Sequence, residues 1–192
     1  TVVTLGKFDG RHRGHQKLLH TMEELKETLG YATAIFTFST APLSLVTGEA
    51  ATVITTSEER RHNMEKMGID YLVEYPFTDD VRKMDPSVFV KDILVKRMRA
   101  KAMVVGPDCS FGYKGAGNVE LLRSLSKELG FELYVIQKEK DHRRDISSTY
   151  IREELSLGNV AKANELLGEP YAIHGIVVHA NHIGGPRLGF PT

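Results

Sequence analysis

The chain has no tryptophan, a single cysteine and no surplus of either charge, and each shortage removes a class of protein. Among its 192 residues, 25 Lys and Arg stand against 25 Asp and Glu, so the formal net charge is zero and the sequence pI is about 7.1. A protein that grips a polyanion through bulk charge carries a basic excess, so nucleic acid is not an expected partner. Cys109 has no second thiol with which to form an internal disulfide. No run approaches the roughly 20 consecutive apolar residues of a membrane span, so no membrane is expected as partner and a cytoplasmic protein is the default. What is present is ordinary: 41% hydrophobic and 26% charged residues suit one full globular domain with part of a second. Thr1 is not a methionine, and residues 1–5 read as a strand rather than a secretory signal, so the chain reads as a fragment.

Short apolar runs alternate with amphipathic segments along most of the chain. Residues 1–5 are β-branched or apolar at nearly every position, as in a strand covered on both faces. A helix is predicted over residues 15–29, with Leu18, Leu19, Met22, Leu25 and Leu29 at helical spacing and Gly30 as its stop. Residues 31–38 form the second predicted strand. Thr56 with Glu59 three residues on forms a capping box for a helix to Met67, closed by Gly68 before a third strand at 71–75. Asp85 and Pro86 start a helix whose buried face is Val88, Phe89, Ile93, Leu94 and Met98, and residues 102–105 follow as strand four. Leu121, Leu122, Leu125 and Leu129 define the next helix, ended by Gly130, and residues 133–136 the fifth strand. Ser147 or Ser148 caps a helix through Leu157, and a short one ends near Leu167 and Gly168. Strands alternating with helices imply right-handed crossovers, hence an α/β fold, a doubly wound parallel sheet with helices on both faces. From Tyr171 the pattern changes to a strand-like run, Ala172, Ile173, Ile176, Val177 and Val178, as if another module began there.

Two segments carry chemistry. Gly6, Lys7, Phe8, Asp9, Gly10, Arg11, His12, Arg13, Gly14 and His15 lie after strand one and open the first helix, where open α/β sheets bind ligands. Free N–H groups at a helix start attract phosphate, two imidazoles three residues apart add donors, and Gly14 permits close approach of a ligand. The spacing is neither the Walker loop nor the dinucleotide fingerprint. In the second segment, Ser147, Ser148 and Thr149 cap another helix and Arg152 stands about one turn in, able to grip phosphate in bidentate fashion. Taken singly, the glycines shape a tight turn, the histidines are solvated and the serines are ordinary caps. Taken together, both segments fall on one sheet edge and converge on a polyphosphate.

Gly6-x-Phe8-Asp9-Gly10-x-His12-x-Gly14-His15 with Ser147-Ser148-Thr149-x-Ile151-Arg152 resembles the HxGH nucleotidylyltransferase superfamily and, within it, the bacterial FAD synthetases, bifunctional riboflavin kinase/FMN adenylyltransferases. Residues 104–112 with Gly117 and Asn118 are similar to that family's flavin loop, and residues 37–42 to its second loop. The resemblance implies a Rossmann-like adenylyltransferase domain over 1–168, converting ATP and FMN, its small-molecule partners, to FAD and pyrophosphate. It implies His12, His15 and Arg152 as catalytic residues, Gly6, Phe8, Asp9, Gly14, Ser147, Ser148 and Thr149 as the ATP site, and Asp108 and Phe111 on the flavin side. Mg2+ is expected with ATP, with no protein metal ligand named. Residues 169–192, with Gly175, Gly185, Arg187, Gly189, Pro191 and Thr192, resemble the truncated start of the family's β-barrel riboflavin kinase module, though Ala180 and the Gly184-Gly185-Pro186 spacing depart from its pattern. Cys109, where the family usually has an aromatic residue, reads as a small apolar group beneath its loop. Lys7, often asparagine in relatives, either adds charge near the phosphates or faces solvent.

The rivals are another nucleotidylyltransferase, acting on pantetheine phosphate or nicotinamide mononucleotide, and a non-catalytic nucleotide-binding domain. His182-Ile183-Gly184-Gly185 imitates a tRNA synthetase signature but lacks its last histidine and a lysine-rich partner motif. His174, His179 and His182 lack the carboxylate or cysteine neighbours of a metal site. The basic run Lys96, Arg97, Arg99 and Lys101 reads as a solvated helix end, and residues 139–145 as a mobile exposed loop, a candidate lid.

Overall fold

A computed structural model describes residues 1–39 and 52–176. Its centre is a five-stranded parallel sheet of β1 (Val2–Leu5), β2 (Thr33–Phe38), β3 (Tyr71–Tyr75), β4 (Ala102–Val105) and β5 (Glu132–Val135), in the order β3-β2-β1-β4-β5. Between and after the strands run α1 (Arg13–Leu29), α2 (Ser57–Lys66), the single turn α3 (Asp79–Arg82), α4 (Pro86–Val88, continuing as a π-helix over Phe89–Arg97), α5 (Val119–Leu129), α6 (Ser148–Ser156) and α7 (Val160–Leu167). The doubly wound α/β expectation holds, and the five strands predicted for the sheet form within two residues of their expected limits.

Alternation along the strands divides the core in two. Val2, Ile35, Ala102 and Val104 meet Leu19 and Met22 of α1 and Met64 of α2 on one face. Val3, Ala34, Phe36, Met103 and Val105 meet Phe89, Val90, Ile93 and Leu94 of α4 and Leu122 and Leu125 of α5 on the other. Successive strand residues point to opposite faces, so strands apolar at every position are those a doubly covered sheet requires. A third cluster joins α6 and α7 through Tyr150, Ile151, Ala163, Leu166 and Leu167, and Ile54 plugs it toward α2.

Local signals set the helix ends. Thr56 and Glu59 complete the predicted capping box of α2, and Asp85 caps α4 with Pro86 at its first position. Gly30, Gly130 and Gly168 close α1, α5 and α7 in the left-handed conformation.

Four expectations are corrected. The first helix starts at Arg13 rather than His15, because the His12 side chain itself caps it. The helix after Asp85 widens to π turns, with the Met98 N–H reaching back to the Ile93 carbonyl at 3.0 Å. Residues 139–145 are not a loose loop: β6 (Lys140–Asp141) and β7 (Arg144–Asp145) pair as an antiparallel hairpin, turned at His142 with φ 53°. The strand-like run after Tyr171 is not a strand up to residue 176, where Ile173 and Ile176 are exposed. Val177, Val178 and the rest of the expected kinase start lie outside the described residues, as does Pro42 of the second loop.

Candidate functional site

The sheet order sends the chain outward in one direction from β1 through β2 and β3, and in the other through β4 and β5. The carboxyl ends of β1 and β4 therefore flank the switch point, where crossover connections part and leave a crevice. Residues 6–12 leave β1 there and residues 106–112 leave β4, so the first predicted ligand segment and the loop likened to the flavin loop face one crevice.

The β1 loop is shaped by close packing. Phe8 adopts φ 49°, uncommon for a residue with a side chain, and its buried ring lies 4.7 Å from that of His15. Gly10 has φ 68°, and a Cβ there would stand 2.8 Å from Ile54 Cδ1, so both conformation and space demand glycine.

His12 and His15 stack with ring centroids 3.6 Å apart and planes inclined by 19°. The His15 backbone N–H donates to His12 Nδ1 at 3.2 Å, and His15 Nδ1 meets the Gly10 carbonyl at 2.8 Å. These contacts assign the tautomers. Neutral His12 carries its proton on Nε2 and presents a donor there, whereas His15 donates from Nδ1 and presents an Nε2 that becomes a donor only on protonation. Burial, with the neighbouring His15, pushes His12 down to about 3; burial pushes His15 down to about 4 against the opposing pull of the Gly10 carbonyl and Asp9. Both rings are therefore neutral at pH 7. Gly14 has a reason beyond the one expected: a Cβ on it would stand 3.2 Å from His12 Nδ1, so its bareness accommodates the capping imidazole.

Asp9 joins the two segments. Its Oδ1 accepts from the N–H groups of Ile54 and Thr55 at 2.8 and 3.1 Å, and its Oδ2 pairs with Arg152 Nη1 at 2.7 Å. Ser148 Oγ donates to the Asp9 carbonyl at 2.6 Å. Arg152 also reaches Thr149 Oγ1 at 3.2 Å, and Ser147 caps α6 by accepting from the Tyr150 N–H at 3.2 Å. Arg152 thus meets a carboxylate and a hydroxyl with part of its fork and remains partly exposed. Two segments predicted separately from sequence are one construction.

On the β4 side, Asp108 is exposed and ion-paired to Lys138 at 2.9 Å. Phe111 is nearly buried, packed 5.8 Å from Phe89 and bridged to Gly117, where a Cβ would stand 2.4 Å from the Phe111 ring. Its ring therefore supports the loop from within the core. Cys109 packs against that core, as expected, and burial beside Asp108 pushes its thiol up to about 11. Lys7 is exposed. His174 bonds Glu59 at 2.9 Å; His179 and His182 lie outside the described residues.

Sequence reasoning missed Ile54, Thr55 and Lys138. Ile54 acts through its backbone N–H, which no residue type announces, Thr55 through its N–H and a hydroxyl that accepts from the Gly10 N–H at 3.2 Å, and Lys138 sits in a charged stretch without apolar period. A surface cavity of about 210 Å³ between α2 and β3, lined by Arg61, Met64, Glu65, Ile69, Leu72 and Glu74, contains none of the predicted residues.

Fold and site together define a doubly wound α/β protein in which the loop after β1 and the start of α6 are tied together through Asp9. The family model of FAD synthetase matches residues 1–150. The chain is 35% identical over 192 residues to the bifunctional riboflavin kinase/FMN adenylyltransferase of Escherichia coli strain K12, covering 100% of this chain and 61% of that protein. It is 33% identical over 193 residues to the protein of the same name from Listeria monocytogenes, covering 100% and 60%. A crystal structure described as a macrolide-efflux protein from Streptococcus pneumoniae superposes with a TM-score of 0.85 at 30% identity, over 100% of this chain and 62% of that one. Efflux is said of that protein; among the described residues here, no helix is long and apolar enough to cross a membrane. The chain belongs to the FAD synthetase family. It spans about 61% of the length of the E. coli relative.

Proposed function

We propose that the chain is an FMN adenylyltransferase, forming FAD and pyrophosphate from ATP and FMN in the cytoplasm. Residues 1–168 are read as the catalytic unit and 169–192 as the beginning of a riboflavin kinase module in a longer parent protein. The observation that carries this is the union of the two anion-binding segments through Asp9, with Ser148 on its carbonyl at 2.6 Å and Arg152 on its carboxylate at 2.7 Å. One triphosphate would then meet the His12 and His15 rings at one end and the start of α6 at the other.

In this reaction an oxygen of the FMN phosphate attacks the α-phosphorus of ATP, the bond to the β-phosphate bridging oxygen breaks, and pyrophosphate leaves with that electron pair. The nucleophile is already an anion at neutral pH, so no general base and no covalent enzyme intermediate are needed, and catalysis is positioning and charge stabilisation. Neutral His12 donates from Nε2 to the α-phosphoryl oxygens. His15 does so once the polyanion's field favours its imidazolium. The free N–H groups at the start of α6, with Thr149 and Arg152, take the β- and γ-phosphates, while Ser147 as cap and Ser148 through its bond to the Asp9 carbonyl hold that helix start in place. Gly6, Phe8, Asp9 and Gly14 shape the nucleotide side, and Asp108 with the Phe111-supported loop the flavin side. Among the described residues no three His, Cys, Asp or Glu side chains are grouped to hold a metal. A magnesium ion, which keeps several waters and rarely uses an all-protein cage, would be carried mainly by phosphate oxygens and water, supplying neutralisation of phosphate charge.

The test is pyrophosphate release and product identity with ATP, magnesium and each of FMN, riboflavin, nicotinamide mononucleotide and pantetheine phosphate. FMN-dependent release with FAD formed is expected. In His12→Ala the rate should fall by about 10²–10³, the loss of one donor to developing charge. Release with a different acceptor would overturn the flavin assignment, and none with any acceptor would favour a binding domain.

A further inference from the structure

At the same edge stands a cation to which adenylyl transfer assigns no part. Lys138 lies three residues beyond the end of β5, whose continuation is tied to β4 by the Ile136 N–H on the Val105 carbonyl at 2.9 Å. Its ammonium touches two carboxylates, Asp108 Oδ2 at 2.9 Å and Asp145 Oδ2 at 3.2 Å. Asp108 belongs to the loop after β4, on the acceptor side of the crevice. Gly106 leaves that carboxylate room to fold back, since a Cβ there would stand 3.2 Å from Asp108 Oδ1. Asp145 ends β7, two residues before the Ser147 cap of α6 on the triphosphate side.

The hairpin bearing Asp145 is tied to the two helices after it. Tyr150 Oη donates to Asp141 at 2.8 Å, Lys162 pairs with Asp141 at 2.8 Å, and the Arg144 guanidinium lies 3.8 Å from the Tyr150 ring. The hairpin that bears Asp145 is thus fastened to α6 and α7. Lys138 joins that assembly to the acceptor loop, and without it Asp108 and Asp145 would face each other as like charges.

We infer that Lys138 is a positioning residue that couples the acceptor loop to the triphosphate-binding helix, so that a ligand on one side orders the other. This rests on the adenylyl-transfer reading. The ion pairs are partly exposed, so the coupling is weakened by salt.

The experiment compares wild type, Lys138→Met, Lys138→Arg and Asp145→Asn. It measures the KM for FMN, the KM for ATP, and the affinity for a non-hydrolysable ATP analogue with and without FMN. Lys138→Met should raise the KM for FMN about fivefold, leave analogue affinity without FMN within about twofold, and abolish the enhancement FMN gives to analogue binding. Lys138→Arg should restore most of both. Asp145→Asn should lose the enhancement while retaining most of the FMN affinity, and about 0.5 M salt should reduce the wild-type enhancement. Unchanged FMN affinity and enhancement in Lys138→Met would overturn the inference. Equal weakening of both ligands with a lowered melting temperature would also overturn it, as the mark of a structural role alone. Wild type that releases no pyrophosphate with FMN would overturn the adenylyl-transfer reading and the inference with it, so the two failures are distinguishable.

Discussion

Gly14 sits inside the first turn of a helix, where alanine is ordinarily preferred by up to about 1 kcal/mol. Here a Cβ would press on His12 Nδ1 at 3.2 Å, and the ring cannot swing aside without losing its cap on the His15 N–H and its stack on the His15 ring. The two effects oppose each other in stability, and only the pressure on His12 bears on activity. Gly14→Ala is therefore expected to alter unfolding free energy by no more than about 1 kcal/mol, while FMN-dependent pyrophosphate release falls at least about tenfold. A chemical melt and the release assay on one preparation decide it, and a stable variant with wild-type turnover would remove His12 from the reaction. The sequence announced that glycine belonged between the histidines; it did not announce why. Ligand approach and room for a capping imidazole demand the same residue, and only the placement of the His12 ring separates them.

At the level of elements, what could be read depended on whether the signal was apolar period or local hydrogen bonding. The sheet and its covering helices were legible because Val2, Val3, Ala102, Met103, Val104 and Val105 are apolar at successive positions, a pattern set by burial on both faces. Caps such as Thr56 with Glu59 were legible because side-chain chemistry dictates them. The β6–β7 hairpin was not, since Lys140, Asp141, Arg144 and Asp145 offer charge without period, and its hold comes from partners on α6 and α7. The π-helical course of Phe89–Arg97 was hidden too, because its buried Phe89, Val90, Ile93 and Leu94 fit an ordinary helix equally well. At the start of α6, adjacent hydroxyls do different work. Ser147 satisfies the Tyr150 N–H, and Ser148 binds the Asp9 carbonyl across the molecule. Ser147→Ala should therefore cost about 1 kcal/mol of stability as an ordinary lost cap. Ser148→Ala should cost turnover more than stability, with the KM for ATP raised. The same loss pattern in both variants would show that the tie to Asp9 has no function of its own.

For the molecule as a whole, the site is a burden on stability as well as a source of function. Folding takes His12 and His15 from water, holding them at about 3 and about 4 against an ordinary 6.5. Between those values the unfolded chain binds more protons than the folded one, so acid favours unfolding. Stability is unaffected by these groups above about pH 6.5 and declines as pH falls, by up to about 1.4 kcal/mol per pH unit for each histidine. Glu59, held at about 2 chiefly by the Thr56 N–H and also by His174, adds its own loss only below its ordinary 4.5, which leaves the interval from about 6.5 to 4.5 to the histidines. Replacing His15 by glutamine removes one of the two buried titrations, so the fall in melting temperature across that interval should become about half as steep. Saturating ATP should flatten it further in wild type, because a polyanion beside the rings favours their charged forms and binding then takes up protons. Melting curves at several pH values, with and without ATP, check both statements. A slope unchanged in His15→Gln would mean that His15 is not held neutral by the fold, and with it the proton uptake expected on ATP binding would go.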